Sequence, residues 1–362
     1  VPGLLASLDR YPYGCTEQVT SQALPLLYMS AVAEPLGLGD RDRIDLRIDQ
    51  AIAQVLTRQA SNGAFGLWGA RSGDFWLDAY VTDFLSRARA AGHEVPERAW
   101  RRALDNLKNR IAYAPDFDNG GEDIAYALMV LAREGEAAMG DLRYYADEKV
   151  ADFATPLAQA QLGAALASYG DQPRADAMFG RAAMRLLSTP EETGQAYRAD
   201  YGSALRDAAG LLTLAVEARS DRFDRNAILR RMSSADRPLS TQEKAWALLA
   251  AHAMVQDPTV SGLTYNGEPL SGPFVRRIEA EGMAPVTLAN TSDGPTDITL
   301  TTLGKPLGTT KVTGYGYTLS RAYYTFDGDP VDEIRAGDRM VAVLTIEPAQ
   351  DTGARLIVDD AL

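Results

Sequence analysis

The sequence contains one cysteine, Cys15, and a glutamine, Gln18, follows it three positions later. Side chains three residues apart come close together where the backbone turns into a helix. A cysteine thiol can displace ammonia from a neighbouring glutamine carboxamide, and the product is a thioester that closes a small ring. The pair therefore predicts an acylating group that is built from two side chains and needs no cofactor.

Other interpretations of these two residues stay open on the pair alone. A lone cysteine usually packs as a small buried hydrophobe, and glutamine is an ordinary helix former. A Cys/His hydrolase is the enzymatic alternative, since a thiol at a helix N-terminus is expected to have a lowered pKa. Its histidine would have to be His93 or His252, and neither lies in a recognisable motif.

The residues around Cys15 resemble a known family. The stretch Tyr11-Pro12-Tyr13-Gly14-Cys15-Thr16-Glu17-Gln18 is similar to the thioester motif of the α2-macroglobulin and complement family, in its bacterial branch. This resemblance implies a cross-link between Cys15 and Gln18, with Tyr13, Gly14 and Glu17 as supporting residues. Further segments that resemble the family are 62–66, 76–81, 201–207 and 240–246.

The resemblance also implies a function. Members of this kind are broad endopeptidase inhibitors and not enzymes: a protease cleaves a bait region, the thioester is exposed, and it acylates lysine amines of the trapped protease once. Some relatives carry a histidine beside the thioester, but the corresponding stretch 109–113 has none. Direct reaction with lysine amines is therefore expected. A thioester must be kept dry, and Tyr11, Tyr13 and Trp68 or Trp76 are the expected apolar shield.

Helical periodicity dominates residues 1–255, and the family resemblance implies that these helices form an α/α toroid of six hairpins. The joints between helices carry Gly, Pro or Asp, as expected for loops. The predicted helices are Glu17–Ala33, Ile44–Leu56, Phe75–Ala90, Glu97–Leu107, Asp123–Arg133, Leu157–Ser168, Ala175–Leu187, Ala204–Ala218 and Thr241–Val255.

After Asp257-Pro258 the pattern changes to short Val/Thr/Leu-rich runs, which predict antiparallel β structure. Asn266-Gly267 and Asp327-Gly328 are hairpin-turn dipeptides. The predicted fold class is thus α followed by β. By resemblance, the domains are the toroidal thioester domain (1–255), part of a CUB-like β domain (256–312) and the start of a macroglobulin-like β-sandwich (313–362). Because the sequence opens without Met and stops after a strand-like run, we expect it to be a fragment.

Composition narrows the expected partners. The formal net charge of −13 argues against nucleic acid and anionic membrane surfaces. No apolar run is long enough for a membrane span. By resemblance, we expect target proteases as partners, no small-molecule cofactor and a periplasmic location. Membrane attachment, if present, would use an inner-membrane lipid anchor outside these residues.

One acidic stretch, Asp116–Asp123, was compared with calcium and diphosphate sites. Against the EF-hand pattern, Gly120 and Ala127 occupy positions that need oxygen ligands, so the pattern fails. The main alternative to a thioester inhibitor is a binding or structural relative in which the thioester never forms. A toroid enzyme that holds diphosphates with aspartate clusters is a further alternative, supported by nothing else in the chain. A loop that caps the following helix is the favoured interpretation.

Overall fold

The computed structural model describes residues 2–9, 14–33, 41–113, 117, 120–189, 198–233, 238–255, 262–270, 278, 284–292, 316–331, 333, 335 and 337–349. These residues form thirteen helices. The helices are α1 (Pro2–Asp9), α2 (Thr16–Ala23), α3 (Leu26–Ala33), α4 (Arg41–Leu56), α5 (Phe75–Ala90), α6 (Glu97–Tyr113), α7 (Glu122–Arg133), α8 (Met139–Asp147), α9 (Pro156–Ser168), α10 (Gln172–Ser188), α11 (Ala204–Glu217), α12 (Arg225–Ser233) and α13 (Thr241–Val255).

Six of the helices close into a ring. In the order α2, α5, α7, α9, α11 and α13, each packs against the next, and α13 packs back against α2. Helices α5, α7, α9 and α11 are buried on nearly every side. Helices α6 and α10 bury one face against this ring, as amphipathic outer helices do. This arrangement is the α/α toroid that the family resemblance implied.

Large aromatic side chains fill the middle of the ring. Tyr80, Tyr126 and Trp246, from α5, α7 and α13, are fully buried. The rings of Trp76 and Tyr80 stack at 5.0 Å, and those of Trp76 and Tyr126 meet edge to face at 5.8 Å. Aromatic pairs in these geometries add stability beyond the area they bury. The aromatic core therefore ties inner helices together.

Most of the predicted helices are confirmed, and one is wrong. The run predicted as a single helix, Glu17–Ala33, is two helices, α2 and α3, separated at Leu24 and Pro25. Proline has no backbone N–H and its ring clashes with the preceding turn, so a helix cannot run through it without breaking or kinking. The prediction also missed three short helices, which are α1, α8 and α12.

The β part is antiparallel, as predicted. Strands β1 (Leu263–Tyr265), β2 (Glu268–Pro269) and β3 (Leu288–Asn290) form one sheet in the order β2-β1-β3. Asn266 and Gly267 form the β1–β2 turn with φ of 49° and 89°, which is the backbone such dipeptides favour. Strands β4 (Tyr317–Tyr324) and β5 (Val341–Pro348) pair along their full length.

Two compact units divide the chain, Val1–Thr299 and Leu300–Leu362. The predicted bounds of the three domains stay predictions. The predicted strand at 298–303 and the predicted joint at 304–308 lie outside the described residues. None of the helices in the described part of the chain is long and apolar enough to cross a membrane.

Candidate functional site

Cys15 and Gln18 lie at the start of α2, where Cys15 is the N-cap residue in an extended conformation. The Cys15 backbone N–H donates a hydrogen bond to the side-chain oxygen Oε1 of Gln18 at 3.1 Å. In return, the Gln18 backbone N–H faces the Cys15 side chain, so the two residues form a capping box. The helix start thus brings the side chains of Cys15 and Gln18 to the same end of α2.

Burial controls the Cys15 thiol. Cys15 is a free cysteine with only 6% of its surface exposed. Burial raises the pKa of Cys15 and outweighs the lowering effect of the Gln18 backbone N–H. The prediction of a lowered Cys15 pKa is therefore wrong, because the N-terminus of the helix is buried. A thiol that resists ionisation does not suit a hydrolase of the Cys/His type.

A loop between α4 and α5 holds the backbone on the far side of Cys15. Thr16 donates from its backbone N–H to the Leu67 carbonyl at 2.9 Å, and from its hydroxyl to the Gly66 carbonyl at 2.6 Å. Arg58 donates to the Gly14 carbonyl at 2.7 Å and to the Thr16 hydroxyl at 3.2 Å. We call residues 58–67 the anchor loop, because it fixes the peptide groups on both sides of Cys15.

Two glycines allow the anchor loop its tight shape. Gly63 has a φ of 93°, and a Cβ there would lie 2.0 Å from the Arg102 carbonyl oxygen. A Cβ on Gly66 would lie 1.9 Å from the Gly69 carbonyl oxygen. Neither distance is possible for a real side chain, so both positions require glycine. The resemblance in segment 62–66 therefore has a structural reason.

Asp78 of α5 fastens the anchor loop from inside the ring. Its Oδ1 accepts from the Phe65 backbone N–H at 2.6 Å, and its Oδ2 accepts from the Asn106 amide at 2.8 Å. Asp78 is 1% exposed. Burial raises the pKa of Asp78 to about 6, although both hydrogen bonds act to lower it. The chain Asp78–Phe65–Gly66–Thr16 links the ring interior to the residue next to Cys15.

Glu17 points away from the pair, into the ring. It is 4% exposed, and its carboxylate accepts from Ser21 at 2.7 Å, from Thr241 at 2.9 Å and from Gln242 at 2.9 Å. Ser21 in turn contacts the Tyr80 hydroxyl at 2.8 Å. Thr241 and Gln242 begin α13, where a negative charge is favoured. The supporting role predicted for Glu17 is thus ring closure between α2 and α13.

The other predicted supporting residues are only partly described. Gly14 supplies the carbonyl that Arg58 holds, and its α-carbon faces Gln54. Tyr11 and Tyr13 lie outside the described residues. Of the two shield tryptophans, Trp76 is buried among the aromatic rings of the core, and Trp68 is 68% exposed next to the anchor loop.

Both histidines have structural surroundings, as predicted. His93 bonds to the Asp49 carboxylate at 2.9 Å through Nδ1. The His252 ring packs on Tyr28 at 4.9 Å, and burial lowers the pKa of His252. The stretch 109–113, where relatives carry the additional histidine, forms the end of α6.

The acidic stretch at 116–123 is partly outside the described residues, which excludes Asp116, Asp118 and Asn119. Glu122 and Asp123 open α7, and Asp123 accepts from the Ile124 backbone N–H at 2.8 Å. Among the residues with defined positions, no group of three or more His, Cys, Asp or Glu side chains could hold a metal ion.

Sequence reasoning missed Arg58, Thr16 and Asp78 as parts of the site. Arg58 lies 43 positions from Cys15 and outside the segments that resemble the family, so only the fold brings it there. Asp78 belongs to the quoted segment 76–81, but its role depends on the anchor loop. The two crowded glycines were the one signal that this loop is built for close approach.

Comparison with known proteins relates the chain to bacterial α2-macroglobulins. Residues 1–110 match the family model of the A-macroglobulin TED domain. The α2-macroglobulin of Escherichia coli K12 is 31% identical over 98% of this chain. The chain spans about a quarter of that relative's length, since it covers 23% of it.

Solved structures of bacterial relatives share the fold. A Salmonella α2-macroglobulin reacted with methylamine superposes with a TM-score of 0.74 at 31% identity, over 96% of this chain and 24% of that one. A trypsin-activated α2-macroglobulin from Escherichia coli gives 0.60 at 29% identity, over 93% of this chain and 24% of that one. The order of helices followed by β structure and the match at the Cys15 region agree with these relatives, and the chain belongs to the bacterial α2-macroglobulin family.

Proposed function

We propose that this chain carries the reactive thioester of a protease-trapping inhibitor, formed by Cys15 and Gln18. The observation that carries the proposal is the reciprocal contact between the two residues at the start of α2. In thioester formation the Cys15 sulfur bonds to the Gln18 side-chain carbon, the carbon–nitrogen bond breaks, and ammonia leaves with the thiol proton. The hydrogen bond from the Cys15 N–H polarises the same carbonyl for attack.

Burial supports the storage of such a group. Water hydrolyses thioesters, and here the Cys15 side chain is buried while Gln18 is partly buried. Burial also raises the pKa of Cys15, so release of a thiolate is unfavourable while the site stays dry. Exposure of Cys15 and Gln18 would admit water and would make release of the thiolate easier. A trap that must stay intact until triggered needs this behaviour.

The acceptor we propose is a lysine amine of the trapped protease. Its nitrogen attacks the Gln18 carbonyl carbon, an isopeptide bond forms, the carbon–sulfur bond breaks, and the sulfur takes the proton that the amine releases. His93 and His252 are engaged elsewhere, so we propose direct aminolysis. Such a protein inhibits by a single acylation and is not a catalyst.

The intact protein is proposed to work in the periplasm, with a lipid anchor at the inner membrane, and to be triggered by cleavage of a bait region. The structure of a relative activated by trypsin supports proteases as partners. These proposals concern regions outside the chain, and they rest on the family alone.

The test uses the full-length protein with trypsin. We expect a trypsin adduct that survives denaturing electrophoresis, and we expect Cys15→Ala to abolish it. Trypsin with reductively methylated lysines is the matched control, since its tertiary amines can attack the thioester but cannot leave a stable amide. Equal adduct from Cys15→Ala, or none from the wild type, would contradict the proposal.

A further inference from the structure

The guanidinium of Arg58 lies beside the reactive pair. It donates to the Gly14 carbonyl at 2.7 Å and to the Thr16 hydroxyl at 3.2 Å, so one cation fastens the residues on both sides of Cys15. Its charge also acts on the Cys15 thiol, opposing the larger effect of burial. A positive group is therefore built into the immediate surroundings of Cys15.

A cation at this place must not react with the proposed thioester. A lysine ammonium exchanges its proton, and the free amine is the nucleophile that destroys a thioester. A guanidinium is not deprotonated in proteins, so it can donate hydrogen bonds to carbonyl oxygens without acting as a nucleophile. Arginine and lysine are thus equivalent in charge here and opposite in reactivity.

The composition of the chain agrees with this distinction. The sequence has 31 arginines and 5 lysines. Three of the lysines fall in the helical region, at positions 108, 149 and 244. Lys108 is paired with Asp105 at 3.0 Å and Glu136 at 3.1 Å, and Lys149 with Asp152 at 3.5 Å. Lys244 is half-buried on α13.

We propose that Arg58 is a positioning residue of the thioester site, and that arginine is required there because a lysine would acylate itself on Gln18. This inference rests on the proposed Cys15–Gln18 thioester. It adds a chemical requirement to that site: the cation that orders the peptide groups around Cys15 must not be a nucleophile.

The test substitution is Arg58→Lys, which keeps the charge and supplies an amine. In the variant the lysine nitrogen attacks the Gln18 carbonyl carbon of the thioester, a carbon–nitrogen bond forms and the carbon–sulfur bond breaks. The proton from the amine goes to the Cys15 sulfur, and no atom leaves the protein. Position 58 is held against the residues that flank Cys15, and well-oriented groups within one molecule react at effective concentrations of about 10⁵ M or more.

The readouts separate this event from simple loss of the thioester. Full-length Arg58→Lys protein is expected to stay one ammonia lighter than its sequence mass, yet to expose a Cys15 thiol that iodoacetamide labels without methylamine. We expect that labelling to be about tenfold faster than in the wild type, or more. Digestion should yield a cross-linked peptide that joins position 58 to position 18.

Two further variants serve as controls. Arg174→Lys, on the outer helix α10 and paired with Asp147, should behave as wild type. Arg58→Ala removes the cation without adding an amine, so it should lose part of the thioester as unmodified or hydrolysed Gln18 and give no cross-link.

Three results would overturn the inference. The first is an intact, methylamine-reactive thioester in Arg58→Lys without a cross-link. The second is an Arg58→Lys protein that has lost the thioester in the same way as Arg58→Ala, which would leave arginine a structural role only. The third is a cross-link between Lys244 and Gln18 in the wild type, since lysine would then not be excluded. A wild-type protein with unmodified Gln18 would instead refute the proposed function, and this inference with it.

Discussion

The Glu17 carboxylate accepts a hydrogen bond from the Thr241 hydroxyl at 2.9 Å, between residues 224 positions apart in the sequence. The contact joins α2, which begins at the reactive pair, to α13, the last helix of the ring. One motif residue therefore closes the fold, while its neighbours Cys15 and Gln18 form the proposed thioester. Integrity of the ring and placement of the pair are coupled through a single helical turn.

Removal of the Glu17 carboxylate should weaken the contact between α2 and α13. Glu17→Ala leaves the buried donors of Ser21, Thr241 and Gln242 without their shared acceptor, and we expect it to lower the free energy of unfolding by about 3 kcal/mol. Urea unfolding measures the loss. Glu94→Ala, at an exposed position, is the matched control and should stay within about 0.5 kcal/mol of wild type. Equal stability of the two variants would refute ring closure by Glu17.

The anchor loop should not tolerate a methyl group at Gly66, whereas Gly69, which follows the loop, should accept one. Gly66→Ala forces a Cβ against the Gly69 carbonyl, so the loop must shift away from Thr16. We expect a loss of about 2 kcal/mol in stability and a smaller fraction of protein that lacks ammonia. Gly69→Ala, where a Cβ meets nothing within 4 Å, should change neither quantity. Unchanged ammonia loss in Gly66→Ala would show that the loop does not position the pair.

Asp78 should make stability depend on pH. Burial raises the pKa of Asp78 to about 6, from 3.8 in an unperturbed aspartate, so the folded chain holds this proton more tightly than the unfolded chain does. The favourable contribution of the neutral form is complete below about pH 4 and is lost as the pH rises through 6, a change of about 3 kcal/mol.

Asp78→Asn isolates that effect, because asparagine stays neutral and its carbonyl can still accept from the Phe65 N–H. The stability of the wild type minus that of the variant should therefore fall by about 2 kcal/mol from pH 4 to pH 7. A difference that is flat across this range, measured by urea unfolding, would contradict the raised pKa.

Asp83, a second buried aspartate on α5, should affect the stability of the ring without affecting the thioester. Asp83 is paired with Arg87 at 3.0 Å and with Arg133, and it accepts from Tyr126 at 2.9 Å. Asp83→Ala leaves the buried Arg87 with Glu217 as its remaining carboxylate partner and removes the acceptor that Arg133 and Tyr126 share, so it should destabilise the ring by about 3 kcal/mol. Since no contact of this network involves Cys15 or the anchor loop, the protein that still folds should carry the thioester at the wild-type fraction. A lower fraction by mass spectrometry would show that ring stability alone governs thioester formation.

Much of this architecture was predictable from local patterns. The boundaries of α5 and α13 were predicted to the residue, since apolar periodicity and flanking turn residues define them. The Asn266-Gly267 turn follows from its backbone preference. Pro25 also indicated a break between two helices, but the prediction of one helix there overlooked it. Local chemistry suffices for such features.

The surroundings of the site could not be predicted in the same way. Arg58 and Asp78 reach the Cys15 region only because the ring folds α4, α5 and the anchor loop onto α2. The raised pKa of Cys15 is a consequence of burial, and a helix N-terminus read in isolation predicts the reverse. Burial and long-range hydrogen bonds are properties of the assembled fold.

The intact mass of natively purified full-length protein, before and after methylamine, tests the Cys15–Gln18 thioester most directly. We predict a mass one ammonia below that of the sequence, no iodoacetamide labelling of native Cys15, and a labelled thiol together with methylamidated Gln18 after treatment. A free Cys15 thiol and an unmodified Gln18 in the untreated native protein would contradict the account.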